Sequence, residues 1–398
     1  MTSPARPKRR ADSRPGPAPD SDRPRSAPSW LLAVTGAVGA ITAAIIQPGD
    51  ARSAASQVWS PFVLVGGLLV IGLVADTDGL FAAAGHALAR VAHNGVVLYV
   101  GSMLLVAAVT AVLNLDTSVA FLTPLLVYTA RSRGDAHAPL LYGCLLLSNA
   151  ASLVLPGSNL TNLIVLGHRH LNGGRFLSQL WPAALAAILV TATVVAIVER
   201  RSLHTTASDI AKLDRPVLGL GLAAVLAAAI LVVVLPSPAL PVATVGVITA
   251  GIRVLRRTEE PRRFLEVLGL PVLTGLFGIA LTLGTIGRAW AGPATLLSHL
   301  NTAGTAALAA GAAVIVNNLP AAALLAAREP SHPYALLIGL NLGPNLFITG
   351  SLAWILWRRA ARTAGAQPSI AHASRLGALA VPLSIAAALG TLTLTGAH

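Results

Sequence analysis

Residues 139–167 read PLLYGCLLLSNAASLVLPGSNLTNLIVLG, an apolar stretch interrupted by Pro156-Gly157-Ser158-Asn159-Leu160-Thr161-Asn162. Proline removes a backbone donor and glycine relaxes the chain, so a helix stops at this point. Within a bilayer, backbone freed in this way is tolerated only where it is buried in protein or lines a cavity. The stretch therefore reads as a broken membrane helix. A second one, 334–357, is interrupted alike at Asn341-Leu342-Gly343-Pro344-Asn345.

The rest of the chain supports that setting. Of its 398 residues, 55% are hydrophobic and 11% charged, with a mean hydropathy of +0.72, against about 25% charged in ordinary soluble domains. Most apolar blocks run to about 18–25 residues, enough for a helix to cross the hydrocarbon. Two blocks, 117–130 and 319–327, are too short to cross, and each follows an Asn-rich turn (Asn114-Leu115-Asp116-Thr117-Ser118 and Asn317-Asn318-Leu319-Pro320). Each reads as the returning limb of a hairpin that enters and leaves on one side. The longer blocks include 30–47, 58–75, 95–113, 264–285 and 293–316.

The order span, hairpin, broken span occurs twice, and the spans that open each copy are alike, PFVLVGGLLV from Pro61 against PVLTGLFGIA from Pro271. Counting crossings with the hairpins contributing none, the copies run in opposite senses. The expected fold is an all-α polytopic membrane protein of two inverted repeats, each with a re-entrant hairpin and a broken transmembrane helix, in about nine to twelve membrane segments. Residues 1–29 form a disordered basic cytoplasmic tail, and 30–398 form one transmembrane domain, with repeat one at about 55–198 and repeat two at about 264–397. This topology puts 23 of the 28 Lys and Arg residues inside and five outside (Arg52, Arg169, Arg175, Arg288, Arg328), a positive-inside bias.

That bias accounts for the formal charge of +13 without nucleic acid. The single cysteine, Cys144, excludes an intramolecular disulfide and a Cys metal cluster. The only lysines, Lys8 and Lys212, do not follow a glycine, so there is no phosphate-binding loop of the Walker A kind. No HExxH, no Ser/His/Asp spacing within the membrane blocks and no paired carboxylates speak for an enzyme. A membrane scaffold without transport is disfavoured, because duplicated polar interruptions cost stability for no structural return. No cofactor is expected.

The candidate site comprises the segments 114–118, 156–162, 317–320 and 341–351, where broken elements can hold a solute by partial charges. Asn, Ser, Thr and Gly dominate them, with one carboxylate, Asp116, and no Lys or Arg. Such groups suit a neutral polyhydroxy solute, an oxyanion or a small cation.

The same segments resemble the arsenite/antimonite efflux permeases, a family of the ion transporter superfamily that also holds citrate, dicarboxylate and sodium/proton carriers. The resemblance runs through NLDTSVAFLTP (114–124), SNAASLVLPGSNLTN (148–162), NNLP (317–320) and NLGPNLFITGSLAW (341–354), in order over about residues 55 to 360. Leu115 separates the polar pair of the first hairpin, where the family usually reads Asn-Asp. The paired Ser-Asn-Thr hairpin signatures of the dicarboxylate carriers are absent.

The resemblance implies proton-coupled efflux of arsenite, antimonite or a similar neutral hydroxylated solute across the plasma membrane. It also implies, in some relatives, a separate soluble ATPase subunit, and relatives by fold are often homodimers. Carried over by motif, Asn114, Asp116 and Thr117 form one hairpin tip and Asn317 and Asn318 the other. Ser158, Asn159, Thr161, Asn162, Asn341, Gly343, Asn345, Gly350 and Ser351 form the unwound segments around the solute, with Asp116 handling the proton. A sodium/proton antiporter and a citrate-type anion carrier on the same fold are the alternatives.

Structural roles compete for several of these residues. Asp116 precedes Thr117 and Ser118 and also suits a helix cap. Asn317 and Asn318 suit interhelical hydrogen bonds, and Ser158 and Thr161 suit the backbone groups freed by the break. Cys144 reads as packing, His168 and His170 as a solvated outer loop, and Glu266 as an interfacial partner of Arg262 or Arg263.

Overall fold

Asparagine punctuates this chain. The structure, a computed structural model, describes residues 29–167, 172–203 and 219–395. Asn94 and Asn114 start α-helices by accepting the N–H of Val97 at 2.9 Å and of Thr117 at 2.7 Å, and Asn301 and Asn317 do the same for Gly304 at 2.8 Å and Leu319 at 3.4 Å. An amide oxygen there satisfies a donor that the first helical turn leaves open.

The first half of the chain contains α1 (Ser29–Ile46), α2 (Pro48–Thr77), α3 (Leu80–Val91), α4 (Gly95–Val112), α5 (Leu115–Ser132), α6 (Ala138–Ala151), α7 (Leu160–Leu166) and α8 (Gly173–Val198). After α9 (Leu220–Val234), α10 (Ala239–Leu255) and α11 (Pro261–Leu268), the second half repeats the plan. It runs through α12 (Leu270–Ala289), α13 (Gly292–His299), α14 (Thr302–Val316), α15 (Asn318–Leu325), α16 (Pro333–Leu342), α17 (Leu352–Thr363) and α18 (Ile370–Thr395). From α2 to α8 and from α12 to α18 the elements correspond one to one, including the Asn caps of α4 and α14 and of α5 and α15.

Both hairpins return to the face they leave. Beyond α5, Arg133 donates from Nη1 to the Ala89 carbonyl at the end of α3 at 2.6 Å, beside the start of α4. Beyond α15, Arg328 donates from Nη2 to the Arg288 carbonyl at the end of α12 at 2.6 Å, beside the start of α13. These lie on opposite faces, because α12 begins on the face of α3, where Asp78 pairs with Arg253, and ends on the other. The limb α4 is long enough to cross a bilayer by itself, yet α5 brings the chain back.

The outer frame is crossed between the repeats. Helix α1 packs on α12 and α10 packs on α2. Gly36 of α1 faces Gly275 and Gly278 of α12 so closely that a Cβ at any of the three would overlap opposing backbone. Small residues at such contacts let helices approach where water supplies no driving force.

The sequence reading needs adjustment in four places. Helix α2 extends well beyond the block 58–75, because Pro48 at its start and a run of Ser, Ala and Gln continue the helix outside the apolar run. The block 264–285 begins in a separate short helix, α11, which ends at Gly269 in the left-handed region at φ 55°. The block 293–316 divides at Leu300-Asn301 into α13 and α14. The amphipathic α3 was not anticipated. The expected tail, apart from Ser29, and His168, Arg169, His170, Lys212 and Arg215 lie outside the described residues. Glu266 pairs with Arg262 at 2.8 Å, and Cys144 is fully buried among core side chains.

Candidate functional site

Four helices, α5, α7, α15 and α17, begin at the interruptions, and their first residues meet around one small cavity. Its walls are Leu115 and Asp116, Asn159 and Leu160, Asn317 to Leu319, and Ser351 and Leu352, closed by Leu273 and Leu276 of α12. The second limbs of both hairpins and the second halves of both broken helices therefore present N-terminal ends to the same space. A helix N-terminus carries about half a positive charge and unsatisfied N–H groups. The cavity volume is about 30 Å³, close to one water's share of the liquid, so a larger solute enters only as the tips part.

Asp116 is the acid of this cavity and no Lys or Arg lines it. Asn114 rather than Asp116 caps α5, which corrects the capping alternative and leaves the carboxylate free of that duty. Among the described residues the Asp116 carboxylate has no hydrogen-bond or ion-pair partner, and it is only partly buried. Ser351 occupies the N-cap position of α17 without capping it, and its Oγ is buried without a partner among the described residues.

The two hairpin tips share a strained backbone. Asn114 has φ 145° and ψ 173°, and Asn317 has φ 79° and ψ 149°, a region that side-chain-bearing residues rarely enter. Asn317 also donates from Nδ2 to the Thr349 carbonyl at 3.2 Å, and the Asn318 N–H donates to the Gly350 carbonyl at 2.9 Å. The second hairpin tip is thereby tied to the interruption of the second broken helix.

Behind the cavity lies a layer whose polar groups are mostly bonded to one another, Asn149 Oδ1 being left without a partner among the described residues. Asn341 accepts at Oδ1 from Ser152 Oγ at 2.5 Å and Asn159 Nδ2 at 2.7 Å, and donates from Nδ2 to Asn162 Oδ1 at 2.8 Å and the Leu337 carbonyl at 2.9 Å. Asn345 accepts from Asn149 Nδ2 at 2.9 Å and donates to the Leu146 carbonyl at 2.9 Å. Asn162 donates to the Ser152 carbonyl at 2.6 Å and the Leu155 carbonyl at 3.2 Å. These bonds join the two broken helices across the repeats.

The remaining expected site residues are placed as follows. Ser158 accepts from the Leu155 N–H and donates to the Ala111 carbonyl at 3.1 Å, which locks the break against the end of α4. Thr161 is buried with its hydroxyl unpaired among the described residues, and Thr117, unpaired as well, packs against Gly72 of α2. Gly343 lies against Ala310 of α14, and Gly350 against Pro344. The sequence reading missed Asn149 and Ser152, which complete the buried layer, and Trp354 Nε1, which donates to the Pro344 carbonyl at 2.8 Å across the interruption. For Asn149 and Ser152 the signal was a polar residue placed just before a break, inside an otherwise apolar block.

The far ends of the half-helices are also paired across repeats. Arg131 of α5 donates to the carbonyls of Ala364 at 2.6 Å and Gly365 at 3.0 Å, beyond α17. Gln57 of α2 donates to the carbonyls of Ile164 in α7 at 2.8 Å and Ala326 beyond α15 at 3.0 Å. Each hairpin limb is thus grouped with the half-helix of the other repeat.

Residues 23–340 match the family model described as citrate transporter. Among curated proteins the chain is similar to the "Arsenical pump membrane protein" of Escherichia coli K12, 26% identical over 360 residues, or 82% of this chain and 84% of that one. The proteins of the same name from Shigella flexneri and Yersinia enterocolitica are also 26% identical, with the same coverage. Among solved structures, the YdaH transporter of Alcanivorax borkumensis, described as having an unusual topology, aligns with a TM-score of 0.52 at 13% identity. That alignment covers 92% of this chain and 98% of the other.

Proposed function

The chain belongs to the citrate transporter family, a secondary transporter of small solutes in a membrane, and we propose that it exports arsenite, antimonite or a similar neutral hydroxylated solute in exchange for protons. The observation that carries this reading is Asp116, an uncompensated carboxylate beside four helix starts in a cavity without Lys or Arg. A carboxylate held within a membrane bundle marks a proton or ion path. The curated relatives named as arsenical pump proteins support the choice of cargo.

The chemistry follows from the donor set. Solute oxygens accept from the N–H groups at the helix starts and from Asn318 and Ser351, while a solute hydroxyl donates to the Asp116 carboxylate. A proton on Asp116 turns one carboxylate oxygen from acceptor into donor and weakens the hold on a solute hydroxyl, so proton and solute compete. Alternation between them converts an inward proton gradient into outward solute movement. In this reading Asp116, Asn159, Asn317, Asn318 and Ser351 touch the solute. Asn114 and Thr117 shape the first tip, and Ser158, Thr161, Asn162, Asn341, Gly343, Asn345 and Gly350 hold the frame.

Orientation follows from charge. Of the described basic residues, 14 lie on the face of the first hairpin and four on the other, which supports a cytoplasmic first face and an N-terminus inside. A homodimer, through the likeness of fold, and a soluble ATPase subunit at the cytoplasmic face, through the arsenical pump likeness, remain part of the proposal, to be read by co-purification.

One observation favours a second cargo. Convergent helix starts attract anions, and the family model is described by citrate. Everted vesicles energised by respiration separate the two: accumulation of As(III) unaffected by excess citrate supports the first reading, and citrate uptake without As(III) uptake supports the second.

A further inference from the structure

We infer that a second, larger cavity on the other side of α7 is the outer half of the solute path, and that Gln57, held by Arg288, is the latch that closes it from the site. This deepens the proposed function and takes its cargo from it. The cavity has a volume of about 590 Å³ and lies between α2, α7, the turn at Pro236 to Pro238 and the start of α10. Its lining includes Gln57, Arg288, Ser53, Ser56 and Ser60. Those groups hydrogen-bond a hydroxylated or anionic solute.

Helix α7 is the partition. Its residues Asn162 and Leu163 line the large cavity, while Leu160 and the capping Asn159 line the small one. The helix is only seven residues long, and Gly157 and Gly167 flank it. Asn159 and Asn162 pin its start to Asn341, so it is the distal end, beside Gly167, that can tilt when freed.

Gln57 holds that partition closed. Its Nε2 reaches the carbonyls of Ile164 and Ala326, and its Oε1 accepts from Arg288 Nη2 at 2.6 Å. Arg288 is itself fixed through Nη1 to the Gly284 carbonyl at 2.9 Å. One carboxamide therefore fastens the distal ends of α7 and α15, whose other ends form the site, to α2 and α12. A solute that competes for Arg288 or Gln57 releases both at once.

Thiol accessibility tests this without any cargo. In a Cys144→Ala background, Ser60→Cys marks the large cavity and Ser351→Cys the site, each probed on intact cells with a membrane-impermeant charged thiol reagent. Ser60→Cys should react from outside and Ser351→Cys should be protected, and adding Gln57→Ala should raise the Ser351→Cys rate about tenfold through the lost hydrogen bonds. Arg288→Gln, which leaves the two Gln57 donor bonds in place, should raise it less and carries the test if Gln57→Ala does not reach the membrane. Unchanged Ser351→Cys reactivity in the variants that insert, or Ser60→Cys reacting only from the cytoplasmic side, overturns the latch. A mistaken cargo would instead leave the labelling pattern intact while As(III) transport is absent.

Discussion

Asn341 donates its side-chain amide to Asn162 at 2.8 Å, so the interruption of one broken helix is bonded directly to the interruption of the other. The same side chain makes three further hydrogen bonds, to Ser152, Asn159 and Leu337. Replacing it by Ala strands buried partners on both repeats. Asn341→Ala should cost about 3 kcal/mol or more, read as a lowered unfolding midpoint of the purified protein in detergent. An unchanged midpoint would mean that the layer is not what joins the repeats.

Ser351 is the contrasting case, because its buried hydroxyl has no partner among the described residues. Ser351→Ala should leave the unfolding midpoint where it is and raise the apparent KM for the solute about tenfold, the value of one lost hydrogen bond in a closed site. Equal losses of stability and transport would instead make it a frame residue.

The hairpin tips should respond to glycine in opposite ways for stability and function. Asn114→Gly relieves a φ of 145° and gives up a cap that glycine replaces at a cost of a few tenths of a kcal/mol. Its stability should hold or rise, whereas Asn114→Ala should lose about 2 kcal/mol. Both variants should transport less well, since the amide that orders the tip is gone. Thermal unfolding beside vesicle uptake reads the two effects separately.

Gly377 of α18 marks a position with no room to spare, since a Cβ there would overlap the Asn345 carbonyl. Gly377→Ala should push the 343–346 turn toward the cavity and reduce transport while the protein still inserts. Wild-type uptake from this variant would show that the turn tolerates displacement.

Much of this architecture is written in the sequence because the bilayer leaves few solutions. Blocks of about spanning length, two Asn-rich turns before short apolar blocks, and basic residues gathered on one side point to two inverted copies with hairpins, although α5 proves as long as α4 at 18 residues. What escaped reading was local or long-range. Helix α3 is apolar but only 12 residues long, and the first turns of α2 lack an apolar run: Asp50, Arg52, Ser53, Ser56 and Gln57 look like a loop until Pro48 is seen to start a helix.

The site was legible as four segments and not as an arrangement. Nothing in one chain tells which asparagines face the solute and which face one another, so Asn341 and Asn345 looked equivalent to Asn318. The cap assignment turned on a single bond, from the Thr117 N–H to Asn114 instead of Asp116. Gln57 gave no signal at all, because its partners, two backbone carbonyls and Arg288, lie 107, 269 and 231 residues away.

The central claim is that Asp116 exchanges a proton against the solute. The most direct test is As(III) movement in everted vesicles carrying wild type or Asp116→Asn, measured both as respiration-driven accumulation and as exchange at equilibrium without a gradient. The account predicts protonophore-sensitive accumulation by wild type, none by Asp116→Asn, and equilibrium exchange retained by the variant, because the amide keeps a polar group in the cavity but cannot take up a proton. Undiminished, gradient-driven accumulation by Asp116→Asn would contradict it.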